Sequence, residues 1–427
     1  MTNRRSFLRS LGVVAAGGAL HIPMAAAAAG SADGKAGHVV VVGGGYGGAT
    51  VARYLRMWSN GTVKVTLIER EAHFVSCPIS NLVIGGLKDM ADITLSYDKL
   101  RTRWGIEVVT DEVVGIDVGK RELRLGGGRT IAYDRAVLSP GIDFLIDDVP
   151  GLAGNLERIP HAWKAGPQTV LLRQQLESMD DGGVVAIHIP KVPYRCPPGP
   201  YERACLVANY LLEHKPRSKL MVLDSNPEIQ SKKGLFTKAF EGRYKDNLEY
   251  VPNSTLVSVN AETMTAELDF SEVQASVLNV IPPQRAGRIV DMLGVELING
   301  RWVDVDWLTM EAKGAPNVHV LGDAIFPAPT MPKSGHMANQ HAKVAAAAIL
   351  NLLAGQAPSA EPLVMNTCYS FVDARNAMHV ASVHQFNAEK HTFLPAEGSG
   401  GVSVAANELE AKYALSWAQN IWSDMLS

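Results

Sequence analysis

The residues of this 427-residue chain with the clearest capacity for redox chemistry are its four cysteines, Cys77, Cys196, Cys205 and Cys368. None belongs to a Cys-x-x-Cys pair, which excludes a zinc site of that type and a Cys-x-x-Cys-His haem attachment. Any haem that serves this chain must therefore lie on another chain. Cys77 has no neighbouring cysteine, so its sulfur is free, bridged at long range or bonded to another group.

Other patterns exclude whole classes of function. The twelve histidines form neither an H-E-x-x-H motif nor a Cys/His cluster. We therefore expect structural or surface roles for them and no metal site. A net charge of −3 and a hydrophobic content of 47% are ordinary for a globular protein. They favour neither nucleic-acid binding nor attraction to an anionic membrane.

A glycine-rich turn near the start of the chain predicts dinucleotide binding. Valines 39–42 read as a buried parallel strand, and Gly43, Gly45 and Gly48 then form G-x-G-x-x-G before a helical segment. Bare backbone in such a turn lets a pyrophosphate approach the helix N-terminus. A second apolar strand ends at Glu69, the acid expected to bind an adenosine ribose hydroxyl.

Later segments complete the same domain. A strand ending in Ser-Pro-Gly at 139–141 resembles the loop where the chain leaves the flavin domain in flavoproteins with two dinucleotide domains. Another strand ends at Gly322-Asp323, and Lys333-Ser334 opens a helix whose N-terminus favours negative charge on a reduced flavin. These motifs together predict FAD. The candidate cofactor residues are Gly43, Gly45, Gly48, Glu69, Arg70, Pro140, Gly141, Gly322, Asp323, Lys333 and Ser334.

A second βαβ unit follows, with predicted strands at 183–189 and 219–224 and a helix at 201–214. A nicotinamide-binding unit needs glycines after its first strand. Here the loop 190–200 contains five prolines, which remove amide donors and stiffen the backbone. We interpret this domain as having the architecture of a nicotinamide-binding domain without its function.

The two ends of the chain predict targeting and packing. Arg4 and Arg5 precede an uncharged run and an Ala-rich stretch, which together resemble a twin-arginine signal peptide over residues 1–30 and predict export to a bacterial periplasm; the alternative is an uncleaved basic tail. The last helix, about 407–426, is too broadly apolar for a simple surface helix and indicates a core or an interface. Its apolar arc contains Tyr413, Trp417, Ile421 and Met425.

Five segments together resemble the flavoprotein subunit of flavocytochrome c sulfide dehydrogenase. They are 74–81 (FVSCPISN), 194–203 (YRCPPGPYER), 281–287 (IPPQRAG), 331–335 (MPKSG) and 366–370 (NTCYS). The resemblance implies an α/β fold with two Rossmann-like domains, as in glutathione reductase, and a small α+β C-terminal domain. The implied limits are 36–149 with 282–355 for FAD binding, 150–281 for the second domain and 356–427 for the C-terminal interface domain.

The resemblance also implies roles for individual residues. Cys77 carries FAD through a covalent thioether, and Cys196 and Cys368 form a redox-active disulfide. Glu202 is a candidate proton acceptor, or a solvated or helix-capping glutamate. Cys205 has no implied role and is expected to be a buried small residue. Trp417 either forms a wall of the flavin pocket or is a core tryptophan.

The activity implied by the resemblance is oxidation of hydrogen sulfide to zero-valent sulfur or polysulfide. Hydrosulfide attacks the bridge, FAD receives two electrons, and a c-type cytochrome subunit accepts them one at a time. Three alternatives stay open: a sulfide:quinone oxidoreductase, an NAD(P)H-dependent persulfide or coenzyme A disulfide reductase, and a catalytically idle flavoprotein scaffold. The acidic last helix argues against the first, the proline-rich loop against the second, and the three intact cysteines against the third.

Overall fold

The structure is a computed structural model that describes residues 37–427, and the predicted signal peptide lies outside them. The helices are α1 (Tyr46–Trp58), α2 (Ser80–Ile84), α3 (Asp98–Thr102), α4 (Pro167–Ser178), α5 (Gly199–His214), α6 (Lys233–Glu241), α7 (Gly335–Leu353) and α8 (Glu408–Leu426). The strands are β1 (His38–Val42), β2 (Lys64–Glu69), β3 (His73–Val75), β4 (Thr94–Ser96), β5 (Glu107–Thr110), β6 (Val113–Asp117), β7 (Glu122–Leu125), β8 (Thr130–Ala132), β9 (Arg135–Leu138), β10 (Ile142–Phe144), β11 (Val184–Ile189), β12 (Lys219–Asp224), β13 (Leu248–Val251), β14 (Leu256–Asn260), β15 (Thr265–Leu268), β16 (Glu272–Gln274), β17 (Val277–Val280), β18 (Gln284–Ala286), β19 (Leu297–Ile298), β20 (Trp302–Val303), β21 (Val318–Val320), β22 (Leu363–Phe371), β23 (Ala377–Asn387), β24 (Thr392–Pro395) and β25 (Gly401–Val402).

The first sheet is parallel and has the order β21-β9-β1-β2-β5. Its central strand β1 is buried along its four valines, as the uninterrupted apolar run predicts. Helices α1 and α7 pack against each other beside this sheet. Strands β1, β9 and β21 are parallel neighbours although they are far apart in the sequence. The turns that follow them therefore meet at the same edge of the sheet.

The second parallel sheet has the order β13-β12-β11-β17. Helices α4, α5 and α6 contribute to the hydrophobic core beside it. This is the second βαβ unit expected from the sequence, and the loop after β11 is the proline-rich segment. The fold class is therefore α/β with two parallel sheets, as predicted.

The C-terminal segment forms an antiparallel sheet, β22-β23-β24, whose strand β23 also pairs with β25. Helix α8 packs on this sheet and on α1. Its packing face consists of Ala411, Ala414 and Ala418 together with Ile421 and Met425. The small alanine side chains let α8 approach the sheet closely. The packing face therefore differs from the predicted apolar arc, and Tyr413 of that arc is 51% exposed.

Within residues 37–427, the helices include none that is long and apolar enough to cross a membrane.

We predict that Gly48→Ala destabilises the first domain. A Cβ atom at Gly48 would lie 1.7 Å from the Gly43 carbonyl oxygen, so the turn and α1 would have to separate. Overpacking of this kind costs about 1–3 kcal/mol. The midpoint of thermal unfolding should fall. Gly234→Ala is the matched control, since a Cβ at that helical position meets nothing within 4 Å; equal midpoints for the two variants would contradict the prediction.

Candidate functional site

The turn between β1 and α1 keeps one side of its backbone free. Gly43 has φ +97°, and a Cβ there would lie 2.4 Å from the Ser139 carbonyl oxygen. A Cβ at Gly45 would meet nothing within 4 Å. The Gly44 amide donates to the Glu69 carboxylate at 2.6 Å, so the acid at the end of β2 is held directly against the turn. This cradle fits a dinucleotide; Arg70, next to it, is exposed.

Asp323 supplies a buried polar group to the same sheet edge. It lies in a short turn, Gly322–Ala324, directly after β21 and is 9% exposed. Its Oδ1 atom is buried without a hydrogen-bond partner in the described protein, which is a costly arrangement unless a ligand hydroxyl donates to it. Burial also raises the pKa of this carboxyl group. The residue therefore fits the role of a cofactor ligand.

Two neighbours close this part of the site. The Ser334 hydroxyl caps α7 by accepting a hydrogen bond from the Met337 amide at 3.0 Å. Lys333 is 5% exposed, and its Nζ donates to the Asp323 carbonyl oxygen at 2.9 Å and lies 3.7 Å from the centroid of the Trp302 ring. Burial lowers the pKa of Lys333 to about 7. Lys333 thus fixes the Asp323 backbone.

Pro140 and Gly141 close the turn after β9. A Cβ at Gly287 would lie 2.7 Å from the Pro140 Cβ, and the Gly287 amide donates to the Gly141 carbonyl oxygen at 3.0 Å. Gly141 has φ +67°, a backbone conformation that glycine adopts without strain. The turn is thus tied to the segment with which the chain returns to the first domain.

Cys77 is partly buried in the segment between β3 and α2. The Ala165 amide approaches its sulfur at 3.4 Å. The neighbouring residue Ser76 belongs to a hydrogen-bond cluster that the sequence did not reveal. The Tyr46 and Ser76 hydroxyl groups are 2.7 Å apart, and the Trp422 indole donates to the Tyr46 hydroxyl at 3.0 Å. The last helix therefore reaches the Cys77 segment.

Arg195 links the cofactor residues to the proline-rich loop. Burial alone would lower its pKa, but the charges of Cys77, Asp323 and Cys196 raise it. Its backbone amide is fixed by the Gln284 side chain at 2.8 Å. Arg195 directly precedes Cys196, but no motif in the sequence marks it as a functional residue.

The structure brings Cys196 and Cys368 into one partly buried site. Both are free thiols here, and Cys196 has φ +58°, a conformation rarely adopted by residues other than glycine. The Cys196 amide donates to the Lys333 carbonyl oxygen at 2.8 Å, which ties the second domain to the first. Burial, and then the charge of Cys368, raise the pKa of Cys196.

Glu202 lies in the first turn of α5 and does not cap its own helix. Its Oε1 accepts from the Phe371 amide at 2.8 Å, and its Oε2 accepts from the Asn81 side chain at 2.8 Å. Burial raises the pKa of Glu202. A carboxyl group in this setting exchanges a proton closer to neutral pH than an exposed glutamate does.

A lysine that the sequence did not single out completes the cluster. Lys232 is 7% exposed, and its Nζ donates to the Cys368 carbonyl oxygen at 2.9 Å and to the Ser370 hydroxyl at 2.8 Å. Burial lowers the pKa of Lys232 to about 8.

The remaining candidates lie apart from this cluster. Cys205 is fully buried in the core of the second domain, as expected of a structural thiol. Trp417 is partly buried and packs against the hydrophobic core of the first domain. It also lines an open groove of about 400 Å³ with His336 and Tyr369. Among residues 37–427 no group of three metal-binding side chains converges.

The acid at the ribose-binding position of the second domain is engaged by the protein itself. The Asp224 carboxylate, at the end of β12, accepts hydrogen bonds from Tyr201 at 2.7 Å and Tyr250 at 2.9 Å. The Asn226 side chain also donates to it at 2.7 Å. An acid that would bind a ribose in a nucleotide domain is thus engaged by tyrosines.

Three family models match parts of the chain. Residues 37–175 match the model for pyridine nucleotide-disulphide oxidoreductases. Residues 169–282 match the model for the central part of the sulfide dehydrogenase [flavocytochrome c] flavoprotein chain. Residues 360–426 match the flavin-binding model of flavocytochrome c sulphide dehydrogenase.

Two sulfide:quinone oxidoreductases are similar to this chain, one in sequence and one in fold. The mouse mitochondrial sulfide:quinone oxidoreductase is 25% identical over 67% of this chain, a match that spans 65% of the mouse protein, just under two thirds of its length. The solved sulfide:quinone oxidoreductase of Aquifex aeolicus superposes with a TM-score of 0.76 at 20% identity, covering 91% of this chain and 92% of that one, which indicates a shared fold.

A third relative is nearer in sequence. The sulfide dehydrogenase [flavocytochrome c] flavoprotein chain of Chlorobaculum thiosulfatiphilum is 56% identical over 45 residues, which are 10% of this chain and 92% of that sequence. The central and flavin-binding models agree with it. With these matches and the site geometry, the chain belongs to the family of flavocytochrome c sulfide dehydrogenase flavoprotein subunits.

Proposed function

We propose that this chain oxidises hydrogen sulfide to zero-valent sulfur with a Cys196–Cys368 disulfide and a covalently bound FAD, and passes the electrons to a c-type cytochrome. The observation that carries the proposal is the convergence of Cys196 and Cys368 with the partly buried Glu202, in a site joined to Asp323 and Cys77 through the charge of Arg195. Cysteines from distant segments meet there beside a proton acceptor.

The residues that would hold FAD follow from the geometry of the first domain. The open side of Gly45 and the N-terminus of α1 suit the pyrophosphate, and Glu69 suits the ribose. The unpartnered Oδ1 of Asp323 suits a ribityl hydroxyl, and the Cys77 sulfur suits the thioether. When bound, FAD accepts two electrons and releases them singly, which a cytochrome requires.

The protein side chains provide the sulfur chemistry. Hydrosulfide attacks one sulfur of the oxidised Cys196–Cys368 pair, and the other sulfur leaves as a thiolate. The Glu202 carboxylate accepts the proton of incoming hydrogen sulfide or of the persulfide formed. Lys232 and Arg195 place positive charge beside the buried sulfurs, which favours anionic sulfur where burial opposes it.

Partner and location belong to the same proposal. The chain contains no Cys-x-x-Cys-His motif, so a separate c-type cytochrome subunit would carry the haem, and a heterodimer is the expected assembly. The twin-arginine pattern of residues 1–30 supports a periplasmic location. The twin-arginine route carries folded proteins, which suits a chain that must acquire its cofactor first.

A second candidate function is supported by the relatives. The mouse and Aquifex proteins are named sulfide:quinone oxidoreductases, and both share fold or sequence with this chain. That function would use the same cysteines but a quinone acceptor. Reduction of cytochrome c compared with reduction of a soluble quinone, both driven by sulfide, separates the two candidates.

Replacing either cysteine of the pair should abolish sulfide oxidation. In Cys196→Ser and Cys368→Ser the bridge cannot form, so sulfide has no electrophilic sulfur to attack. Sulfide-dependent bleaching of the flavin absorbance should be lost in both variants. Cys205→Ala is the control and should bleach like the wild type, because Cys205 lies in the core away from the pair. Normal bleaching in Cys196→Ser would refute the proposed function.

Acid denaturation should leave FAD attached to the peptide that contains Cys77. Mass spectrometry of that peptide is expected to show the added mass of FAD in the wild type and in Cys205→Ala. In Cys77→Ser the flavin should separate from the protein in acid, because no thioether can form. If wild-type FAD also separates although the flavin was fully loaded, Cys77 is an ordinary thiol.

Glu202→Gln should slow sulfide oxidation by about 10²-fold, the usual contribution of a general base. The acceptor form of Glu202 is the carboxylate, so wild-type activity falls as pH drops through the raised pKa of this group. Glutamine cannot titrate, so this acid limb of the pH profile should disappear. Glu213→Gln, near the other end of α5, is the matched control. An unchanged rate and pH profile in Glu202→Gln would assign Glu202 a structural role only.

A further inference from the structure

Lys232 is buried, although no motif in the surrounding sequence predicts a buried lysine there. It is a buried lysine at the start of α6, with φ +53°. A left-handed conformation is strained for a residue with a side chain, and such residues cluster at functional sites. The next residue, Lys233, is exposed and forms an ion pair with Glu228 at the surface. The backbone at this point therefore directs one lysine inward.

The ammonium group of Lys232 is aimed at the strand that carries Cys368. Its two hydrogen bonds, to the Cys368 carbonyl oxygen at 2.9 Å and to the Ser370 hydroxyl at 2.8 Å, leave one of its three N–H donors for another acceptor. The charged groups whose fields act on it are Cys368, Glu202, Cys196 and Glu410. Among these charges, that of Cys368 has the largest effect on the pKa of Lys232.

The surroundings of the two reactive sulfurs are unequal. The Asn366 side-chain amide lies 3.3 Å from the Cys368 sulfur, and the Ser334 hydroxyl holds Asn366 in place by donating to its Oδ1 at 2.6 Å. For Cys196, no hydrogen bond to the sulfur is found within the described chain. A thiolate at Cys368 thus accepts a hydrogen bond from a protein side chain, whereas one at Cys196 does not.

The electrostatic effects of neighbouring charges also favour a thiolate at Cys368 over one at Cys196. Burial raises the pKa of both thiols. At Cys368 the strongest influence after burial is Lys232, which opposes it. At Cys196 the next influences on the pKa are Cys368 and Glu202, which reinforce burial, and Arg195 and Lys232 oppose it only after them.

We propose that Lys232 is a positioning residue that holds the Cys368 sulfur as the departing thiolate, which makes Cys196 the sulfur that hydrosulfide attacks. This inference rests on the proposed function. Hydrosulfide forms a new sulfur–sulfur bond to Cys196 as the Cys196–Cys368 bond breaks, and that electron pair passes to Cys368. The products are a Cys196 persulfide and a Cys368 thiolate. The better-stabilised thiolate leaves faster in thiol–disulfide exchange.

The site of the persulfide tests this assignment directly. Oxidised wild-type holoprotein is mixed with one equivalent of sulfide, quenched rapidly with excess iodoacetamide and digested for mass spectrometry. We expect the extra sulfur on the Cys196 peptide and simple alkylation on the Cys368 peptide. An opened bridge with the extra sulfur on Cys368 overturns the assignment alone. If sulfide leaves the bridge intact, or no bridge exists in the oxidised protein, the proposed function fails and the assignment with it.

Variants of Lys232 test its part. In Lys232→Met, bridge opening by sulfide should slow by at least about tenfold, because loss of a neighbouring positive charge raises a thiol pKa by about 1–3 pH units. The persulfide should then divide between the two cysteines. Lys232→Arg keeps the charge and should retain the wild-type distribution. Lys233→Met is the matched control and should behave as wild type. Equal rates and distributions in Lys232→Met and Lys233→Met overturn the role of Lys232.

The pH profile separates an electrostatic role from a purely structural one. Because the pKa of Lys232 is lowered to about 8, its ammonium group loses its proton above that pH, and wild-type bridge opening should decline there. A guanidinium stays charged, so Lys232→Arg should lack this decline. The same alkaline decline in both proteins would show that the charge of Lys232 does not act on Cys368.

Discussion

The buried guanidinium group of Arg203 is the constraint on which the rest of the site depends. It is 2% exposed, and its hydrogen bonds go to neutral acceptors: the Asn81 side chain, the Asn279 side chain and backbone carbonyl oxygens. A buried charge without these partners would cost several kcal/mol, so the segments that supply them are held in place. Asn81 in turn donates to Glu202 at 2.8 Å. One buried charge thus fixes both Asn81, which follows the Cys77 segment, and Glu202, the proposed proton acceptor.

The proline-rich loop has two effects in this architecture. Its prolines withdraw the amides that would bind a phosphate, and the acid that would bind a ribose, Asp224, is engaged by Tyr201 and Tyr250. The same stiff loop presents Arg195 and Cys196 to the first domain, with the Cys196 amide bound to Lys333. One local segment therefore both lacks the amide donors of a phosphate site and places Cys196 against the first domain.

The sequence predicted the features that depend on local geometry. The glycine turn, Glu69 and Asp323 are recognisable because backbone conformation limits the residue types at those positions. Lys232, Arg195 and the Tyr46–Trp422 contact were missed, because their roles arise from segments that meet only in the folded protein. The alanine face of α8 was missed for a related reason: close approach to a sheet selects small residues, which carry little signal in an apolar pattern.

The site combines burial with two separated cations. Burial disfavours every thiolate, so a site with neither cation would keep its sulfurs protonated near neutral pH. Arg195 acts on Cys77, Asp323 and Cys196, whereas Lys232 acts mainly on Cys368 and Glu202. Each cation therefore faces at least one sulfur and one carboxylate. The two positive charges and the two carboxylates therefore offset each other, and burial raises the pKa of both carboxyl groups. Protonation of either carboxyl group leaves one positive charge unmatched, which would stabilise a nearby thiolate.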